Sequence, residues 1–461
     1  MAKEYRRYSF WLESCGDDLT PRAALDGSID VDVAILGAGF TGLWTAYYLK
    51  KRDPALKIAV IEREIAGFGA SGRNGGWVTA GLQLSLPLLA ERFGFEAARA
   101  QHHAMSATVD EIERVVRDEG IECDFQKSGA LRIARGVHQL PSIERSYATY
   151  ERFNLADDYQ LLDKTETESR VNVAGALGSL FTPHCAVIHP AKLVRGLAHV
   201  VERLGVTIYE QTPVIDYSEG ASPRLMTERG DVNARTLVLA GESYLSQLPK
   251  LRQQLVPVYS LIVLTEPLSD REWEEIGWES RECISSNRFT VDYLSKTTDG
   301  RIVFGGRGAP YHYNSQISDD YDRHEPTHAM LRRSAIDWFP MLKNVRFTHA
   351  WGGPLGMPRD WMPTMSYDPS TNVATARGYT GQGVATANLS GRVLTDLITG
   401  KHSEVTELPT VDHQSPDWEP EPLRWLGIRY VQNGFGRLDA EAERTGQAPS
   451  GRSLTEWLGR H

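Results

Sequence analysis

A glycine-rich turn within residues 31–62 constrains this chain more than any other stretch. It reads VDVAILGAGFTGLWTAYYLKKRDPALKIAVIE. Val31, Val33, Ile35 and Leu36 make a short apolar run, the pattern of a strand buried on both faces. Gly37, Gly39 and Gly42 follow as G-x-G-x-x-G. The first glycine permits a tight turn, the second lets a pyrophosphate approach the backbone, and the third lets helix and strand pack closely. The spacing predicts a helix next, with Phe40 and Thr41 in its first turn and Leu43, Ala46, Tyr47 and Leu49 facing inward. Its free N–H groups and positive dipole end face phosphate in such a unit. Ile58–Ile61 reads as the second strand. Glu62 closes it, with Arg63 beside it, where a carboxylate can accept both hydroxyls of an adenosine ribose. An acid there disfavours a 2′-phosphate, so the motif points to NAD or FAD rather than NADP.

The following stretch, REIAGFGASGRNGGWV, favours FAD. Gly67, Gly69, Gly72, Gly75 and Gly76 fall within ten residues, with Ala70, Ser71, Arg73 and Asn74 among them. A nicotinamide unit has no need of so much glycine here. A flavin's long pyrophosphate arm and flat ring must lie against bare backbone with N–H groups turned to anionic oxygens. At 461 residues the chain is long enough for two or more domains. A formal net charge of −10 argues against a nucleic-acid or anionic-membrane surface. Cys15, Cys123, Cys185 and Cys283 show no metal-ligand spacing and read as reduced thiols of a cytoplasmic protein. Arg6-Arg7 precedes YSFWLESCGDDL, whose acids exclude the apolar region of an export signal, and no run reaches the length of a membrane span.

VAILGAGFTGLWTAYYL, the acid after it and GFGASGRNGGWV resemble the FAD-dependent amine and amino-acid oxidoreductases of the D-amino-acid oxidase superfamily, above all their γ-glutamylputrescine oxidase-like branch. YSFWL in the N-terminal arm is similar too, and the likeness covers most of residues 5–400. It implies an α/β (α+β overall) fold: a Rossmann-like FAD-binding domain with an interleaved antiparallel-sheet substrate domain. Two relatives attach FAD covalently, one through a histidine where this chain has Arg73 and Asn74, the other through a cysteine near Trp351-Gly352-Gly353. Neither nucleophile is present, so FAD is expected to bind non-covalently.

The rest of the chain divides accordingly into an arm (1–29), a discontinuous FAD-binding domain (30–84, 183–250, 345–405), a substrate domain (85–182, 251–344) and a tail (406–461). Ile112, Val115 and Val116 mark a helix over 104–119 ended by Gly120. His102 and His103, read as helical but without acidic or cysteine partners at ligand spacing, are expected to be surface or interface residues, and no metal site is expected. Pro190 starts a helix with Leu193, Leu197, Val200, Val201 and Leu204 on one face, and His184 and His189 beside it read as structural. The resemblance places Val214 against the adenine, and Gly241 follows the apolar strand Thr236–Ala240 close to the pyrophosphate. Alternating strands over 251–344 suit a sheet that roofs the flavin, with Tyr259, Tyr293 and Arg307 as candidates to meet substrate. Arg307 ends an apolar strand and needs an anion, either a substrate carboxylate or a structural partner. Gly352 and Gly353 suit the ring face. Gly378, Tyr379, Gly381, Gln382 and Gly383 precede a helix whose N-terminus would stabilise negative charge at the pyrimidine end of the reduced ring, with Tyr379 a further catalytic candidate.

The expected activity is oxidation of a small-molecule amine to an imine by hydride transfer to flavin N5, then hydrolysis, with reoxidation by oxygen or another acceptor. No Ser/His/Asp or paired-carboxylate constellation is present, and none is required if the pocket selects the unprotonated amine. Two alternatives stay open: a flavin dehydrogenase or hydroxy-acid oxidase on the same scaffold, and a non-catalytic flavoprotein module.

Overall fold

The computed structural model describes residues 3–460. Val33–Leu36 lies inside a six-stranded sheet ordered Thr364–Asp368, Val373–Arg377, Thr236–Leu239, Val33–Leu36, Ile58–Ile61, Thr207–Tyr209. All neighbours are parallel except the first pair, which is antiparallel. Ile58–Ile61 is buried at every position, as a parallel strand covered on both faces must be. The helix Phe40–Arg52 starts at the glycine turn and packs on Gly383–Ile398. At their crossing a Cβ on Gly391 would lie 2.7 Å from the Trp44 Cβ, so only glycine lets the two axes come so near. Pro190–Arg203 is capped by His189, whose Nδ1 accepts the Lys192 N–H at 3.2 Å, and it turns Leu193, Leu197, Val200 and Val201 into the core. Leu204 is its C-cap rather than part of the buried stripe.

The segment 85–182 opens with a short helix over Leu86–Phe93, and the next helix, Phe95–Asp118, starts nine residues earlier than the apolar spacing predicts. Its first turns, FEAARAQHHA, rely on helix-favouring alanine, arginine and glutamine, which leave little hydrophobic periodicity to read. Ala130–Arg135 pairs in parallel with Cys283–Ser286, and this pair joins two sequence-distant segments in one eight-stranded sheet. Its order is Phe347–Met357, Val256–Thr265, Ile302–Gly306, Asp292–Lys296, Cys283–Ser286, Ala130–Arg135, Ala176–Thr182, Gln160–Asp163. Phe347–Met357 lies in a stretch that sequence groups with the FAD-binding domain, yet it is hydrogen-bonded to Val256–Thr265 along its length. Its three glycines and a proline hide the strand alternation. Register fixes a row across the sheet: Ile262 opposite Gly305, Gly305 opposite Tyr293, Tyr293 opposite Ser285, and Ser285 opposite Arg132. Directly opposed residues share a face, so this row forms one wall.

Both ends of the chain brace these layers. In the arm, Phe10, Trp11 and Leu12 are buried with Ile65, Phe68 and Trp351, and Trp11 Nε1 donates to the Asn74 carbonyl at 2.8 Å. The tail forms a helix over Leu423–Thr445. Its Asp439 accepts the N–H groups of Phe289 and Thr290, both at 2.9 Å, and the Thr290 hydroxyl at 2.7 Å. No helix among the described residues is long and apolar enough to cross a membrane.

The glycine turn supplies a direct test of packing. A Cβ on Gly42 would lie 2.0 Å from the Gly37 carbonyl oxygen, so Gly42→Ala forces helix and strand apart. The expected cost is about 1–3 kcal/mol, read as a lowered thermal midpoint, and an unchanged midpoint would show that this contact is slack.

Candidate active site

The strand ends Leu36, Ile61 and Ala240 of the six-stranded sheet and the wall of the eight-stranded sheet enclose a cavity of about 680 Å³. Gly37, Gly39, Phe40 and Thr41 line its floor, with Glu62, Arg63, Val214 and Gly241 at one end. Gly69, Ala70, Ser71, Arg73, Asn74 and Gly75 form one side. Gly353, Tyr379, Gly381, Gln382 and Gly383 form another, and Tyr293 and Arg307 stand on the wall. The position, beyond the carboxyl ends of parallel strands, is where open α/β sheets bind ligands.

Five of the sequence candidates are elsewhere. Tyr259 is buried on the opposite face of its strand among Leu261 and Val263, and its hydroxyl donates to the Ser318 carbonyl at 3.1 Å. Strand alternation is the reason: Ser260 and Ile262 take the cavity face and turn Tyr259 away. Gly42 packs helix on strand. Gly76, at φ +80°, accepts the Ile188 N–H through its carbonyl at 2.8 Å, and Gly378, at φ +81°, rests on Pro358. These three shape the cradle without lining it. Gly352 is also outside the cavity, since a Cβ there would meet Leu261 at 2.3 Å.

Glu62 accepts the Ala38 N–H at 2.8 Å through one carboxylate oxygen and the Glu64 N–H at 2.9 Å through the other. Burial pushes its carboxyl up from the usual range, and these two N–H groups pull against that. Arg73 is buried, and its guanidinium donates to Asp322 at 3.1 Å and to the Tyr244 hydroxyl at 3.0 Å. Burial raises the Asp322 carboxyl to about 6 against the pull of Arg73. The Tyr379 ring borders the cavity, but its hydroxyl is shared between Thr41 Oγ1 at 2.8 Å and Ser390 Oγ at 3.2 Å. It ties the first turn of the helix Phe40–Arg52 to the middle of Gly383–Ile398. Tyr293 presses against the bare backbone of Gly75 and Gly305, where a Cβ would come within 2.4 and 2.1 Å of its ring. Its hydroxyl meets Ser260 Oγ at 2.9 Å, and burial pushes the phenol up to about 12.

Sequence reasoning missed Glu242. It sits at φ +48° just after the strand Thr236–Leu239, and its carboxylate accepts the N–H groups of Gly356 at 2.7 Å, Gly378 at 3.1 Å and Tyr379 at 3.3 Å. It thereby joins three sequence-distant segments at the cavity edge. An acid directly after an apolar strand and a glycine, LVLAGES, is the only local signal. Ser260, Ser285 and Arg132 were also missed, because their facing depends on register.

The FAD dependent oxidoreductase (DAO) family matches residues 32–397. The chain belongs to this family. It is 30% identical over 375 residues to the probable oxidoreductase OrdL of Haemophilus influenzae, covering 80% of this chain and 83% of that protein. It is 26% identical over 407 residues to the γ-glutamylputrescine oxidoreductase of Escherichia coli, covering 88% and 92%. Its fold matches the crystal structure of a glycine oxidase from Geobacillus kaustophilus with a TM-score of 0.69 at 19% identity, covering 84% of this chain and all of that one. The DAO-family cofactor is FAD, and the cavity fits it. Both helices that begin at the cavity, Phe40–Arg52 and Gly383–Ile398, lack a side-chain cap, which leaves N–H groups free for anionic oxygens.

Glu242→Ala should leave three backbone donors without an acceptor. The expected loss is of the order of 3 kcal/mol in urea unfolding of the flavin-loaded protein, with Glu242→Gln, which keeps an acceptor oxygen, clearly milder. Equal stability of the two variants would remove Glu242 from this bridging role.

Proposed function

We propose that this DAO-family protein oxidises the C–N bond of an extended amine or amino-acid-like substrate whose anionic end is held by Arg307. The supporting observation is the state of that side chain. Its guanidinium lines the cavity, donates to the Thr380 carbonyl at 3.1 Å and lies 5.6 Å from the Trp361 ring centre. Among the described residues it has no carboxylate partner. Burial works against its charge, and an arginine relieves that cost by gaining an anion rather than by losing its proton. A substrate carboxylate is the fitting anion. Relatives named for γ-glutamylputrescine and for glycine support an amine with a carboxylate.

Arg132 extends the reading. It stands on the Tyr293–Ser285–Arg132 row, two strands from Tyr293, which at the ordinary strand spacing is about 10 Å. It too lines the cavity without an acidic partner among the described residues. A substrate long enough to reach both ends of this wall, such as a γ-glutamylated diamine, uses both cations.

FAD, held non-covalently, supplies the acceptor for a hydride from the substrate carbon. The chain's own residues orient and exclude. Tyr293 keeps its proton at neutral pH and serves as a wall rather than a base. Glu62 and Glu242 are occupied by backbone donors, and one oxygen of Asp292 accepts the Ser286 N–H at 3.0 Å and hydroxyl at 2.6 Å. The other Asp292 oxygen is buried at the cavity without a hydrogen-bond partner and is open to the substrate's N–H groups, while the apolar side chains of Ile262, Trp77 and Leu355 favour the neutral amine. Loss of hydride from carbon leaves the C=N bond, and water then adds to that carbon and releases the amine. A lining with no histidine or cysteine among the described residues supports non-covalent attachment.

Anaerobic mixing with γ-glutamylated diamines, N-methyl amino acids and amino alcohols should bleach the flavin with at least one of them. Bleaching by hydroxy acids alone would replace amine oxidation with hydroxy-acid oxidation. Arg307→Ala should raise KM for a carboxylated substrate by about a hundredfold, the loss of a charged hydrogen-bonded pair, while an uncharged analogue changes little. Arg132→Ala should affect long substrates only. Acid precipitation should leave a yellow supernatant over a colourless pellet, and a yellow pellet would refute non-covalent binding.

A further inference from the structure

We propose that His102, His103 and Asp158 form a zinc site, separate from the flavin cavity, with His184 bracing Asp158 from a third segment of the chain. The first two residues lie on the helix Phe95–Asp118, Asp158 ends the turn Ala156–Asp158, and His184 precedes the strand Cys185–Val187. None of the four lines the cavity. One ligand atom from each of His102, His103 and Asp158 lies within 4.8 Å of the other two. His184 Nε2 stands 3.0 Å from Asp158 Oδ1. Three imidazoles therefore converge on one carboxylate.

The hydrogen bonding of the cluster is incomplete in the way a cation would complete it. His102 Nδ1 and His184 Nδ1 are buried without a hydrogen-bond partner, and His184 Nε2 has only its ion-pair contact with Asp158. Buried polar nitrogens normally find a partner, so two orphans around one acid ask for a reason. A His184–Asp158 ion pair alone leaves His102 Nδ1 unexplained. The orientation of His102 is fixed from behind: its Nε2 meets the Tyr159 hydroxyl at 2.9 Å, and Tyr159 stacks on Tyr150 with ring centres 3.5 Å apart. An outer partner on the far ring nitrogen is how metal-binding histidines are held.

The donor set selects the ion. Imidazoles with one carboxylate suit Zn²⁺ over Ca²⁺ or Mg²⁺, which take oxygen ligands. Tetrahedral zinc with bonds of about 2.0 Å places its ligands about 3.3 Å apart, so ligand atoms up to 4.8 Å apart draw together by as much as about 1.5 Å on binding. His103 is exposed and provides the way in from solvent. Three protein ligands hold the ion and a water completes the tetrahedron, so it braces the helix against the turn, away from the flavin cavity.

The test uses the full-length, flavin-loaded protein after EDTA treatment and desalting, titrated with ZnCl2 against a chromophoric zinc indicator. One zinc per chain should bind, raising the thermal midpoint. His103→Ala, at an exposed position that does not endanger folding, and Asp158→Asn should each weaken binding by about tenfold or more, with the flavin absorbance unchanged. Absence of saturable binding would overturn the proposal, as would wild-type zinc affinity in both variants, which would place the ion elsewhere. The flavin spectrum reports separately on the cavity, so failure here leaves the amine-oxidase reading intact.

Discussion

Backbone that must lie bare against a ligand cannot hold itself in shape. That constraint organises this molecule. The 67–76 stretch carries five glycines, each costing conformational entropy on folding and offering no side chain to pack. Its order is imposed from outside. Trp11 of the arm donates to the Asn74 carbonyl, Trp351 Nε1 donates to the Arg73 carbonyl at 2.9 Å, and the Ile188 N–H donates to Gly76. Ser71 Oγ in turn accepts the Phe40 N–H at 2.9 Å, which links this loop to the first glycine turn. The aromatic arm is thus part of the cofactor cradle.

Charge is handled by the same logic of fixed placement. Arg73 and Asp322 are both buried, and removal of either would strand the other's charge in a low-dielectric interior. Arg73 is therefore committed to structure, with its guanidinium beside Gly353 but its donors already used. Arg307 contrasts with it on the same cavity, since its charge has no acid to answer it. Two arginines that look alike in the sequence differ because a short helical turn, Tyr321–Arg323, delivers a carboxylate to one and none to the other.

The Rossmann half of the fold was legible because its signals are local. A strand, three spaced glycines, a helix and an acid lie within 32 residues, and the strand, turn and helix form where their spacing places them. The eight-stranded sheet was less legible because it joins partners more than a hundred residues apart, such as Ala130–Arg135 and Cys283–Ser286. Which residues of a strand face a cavity depends on that pairing, and a shift of one position exchanges the two faces. Tyr259 and Ser260 show the consequence: the conspicuous tyrosine is buried behind the sheet and the plain serine beside it meets the cavity. Glu242 escaped notice for a related reason, since its three donors come from residues 356, 378 and 379 and no local pattern announces them.

The tail helix has a wider bearing than its surface location suggests. Asp439 grips the loop Phe289–Thr290, the Thr290 carbonyl accepts the Arg307 N–H at 3.1 Å, and Arg288 and Val291 on that loop reach the cavity. The helix Leu423–Thr445 is therefore linked through one loop to the cavity wall that carries Arg307. A change on the far side of that helix has a mechanical route, two hydrogen bonds long, to the cavity.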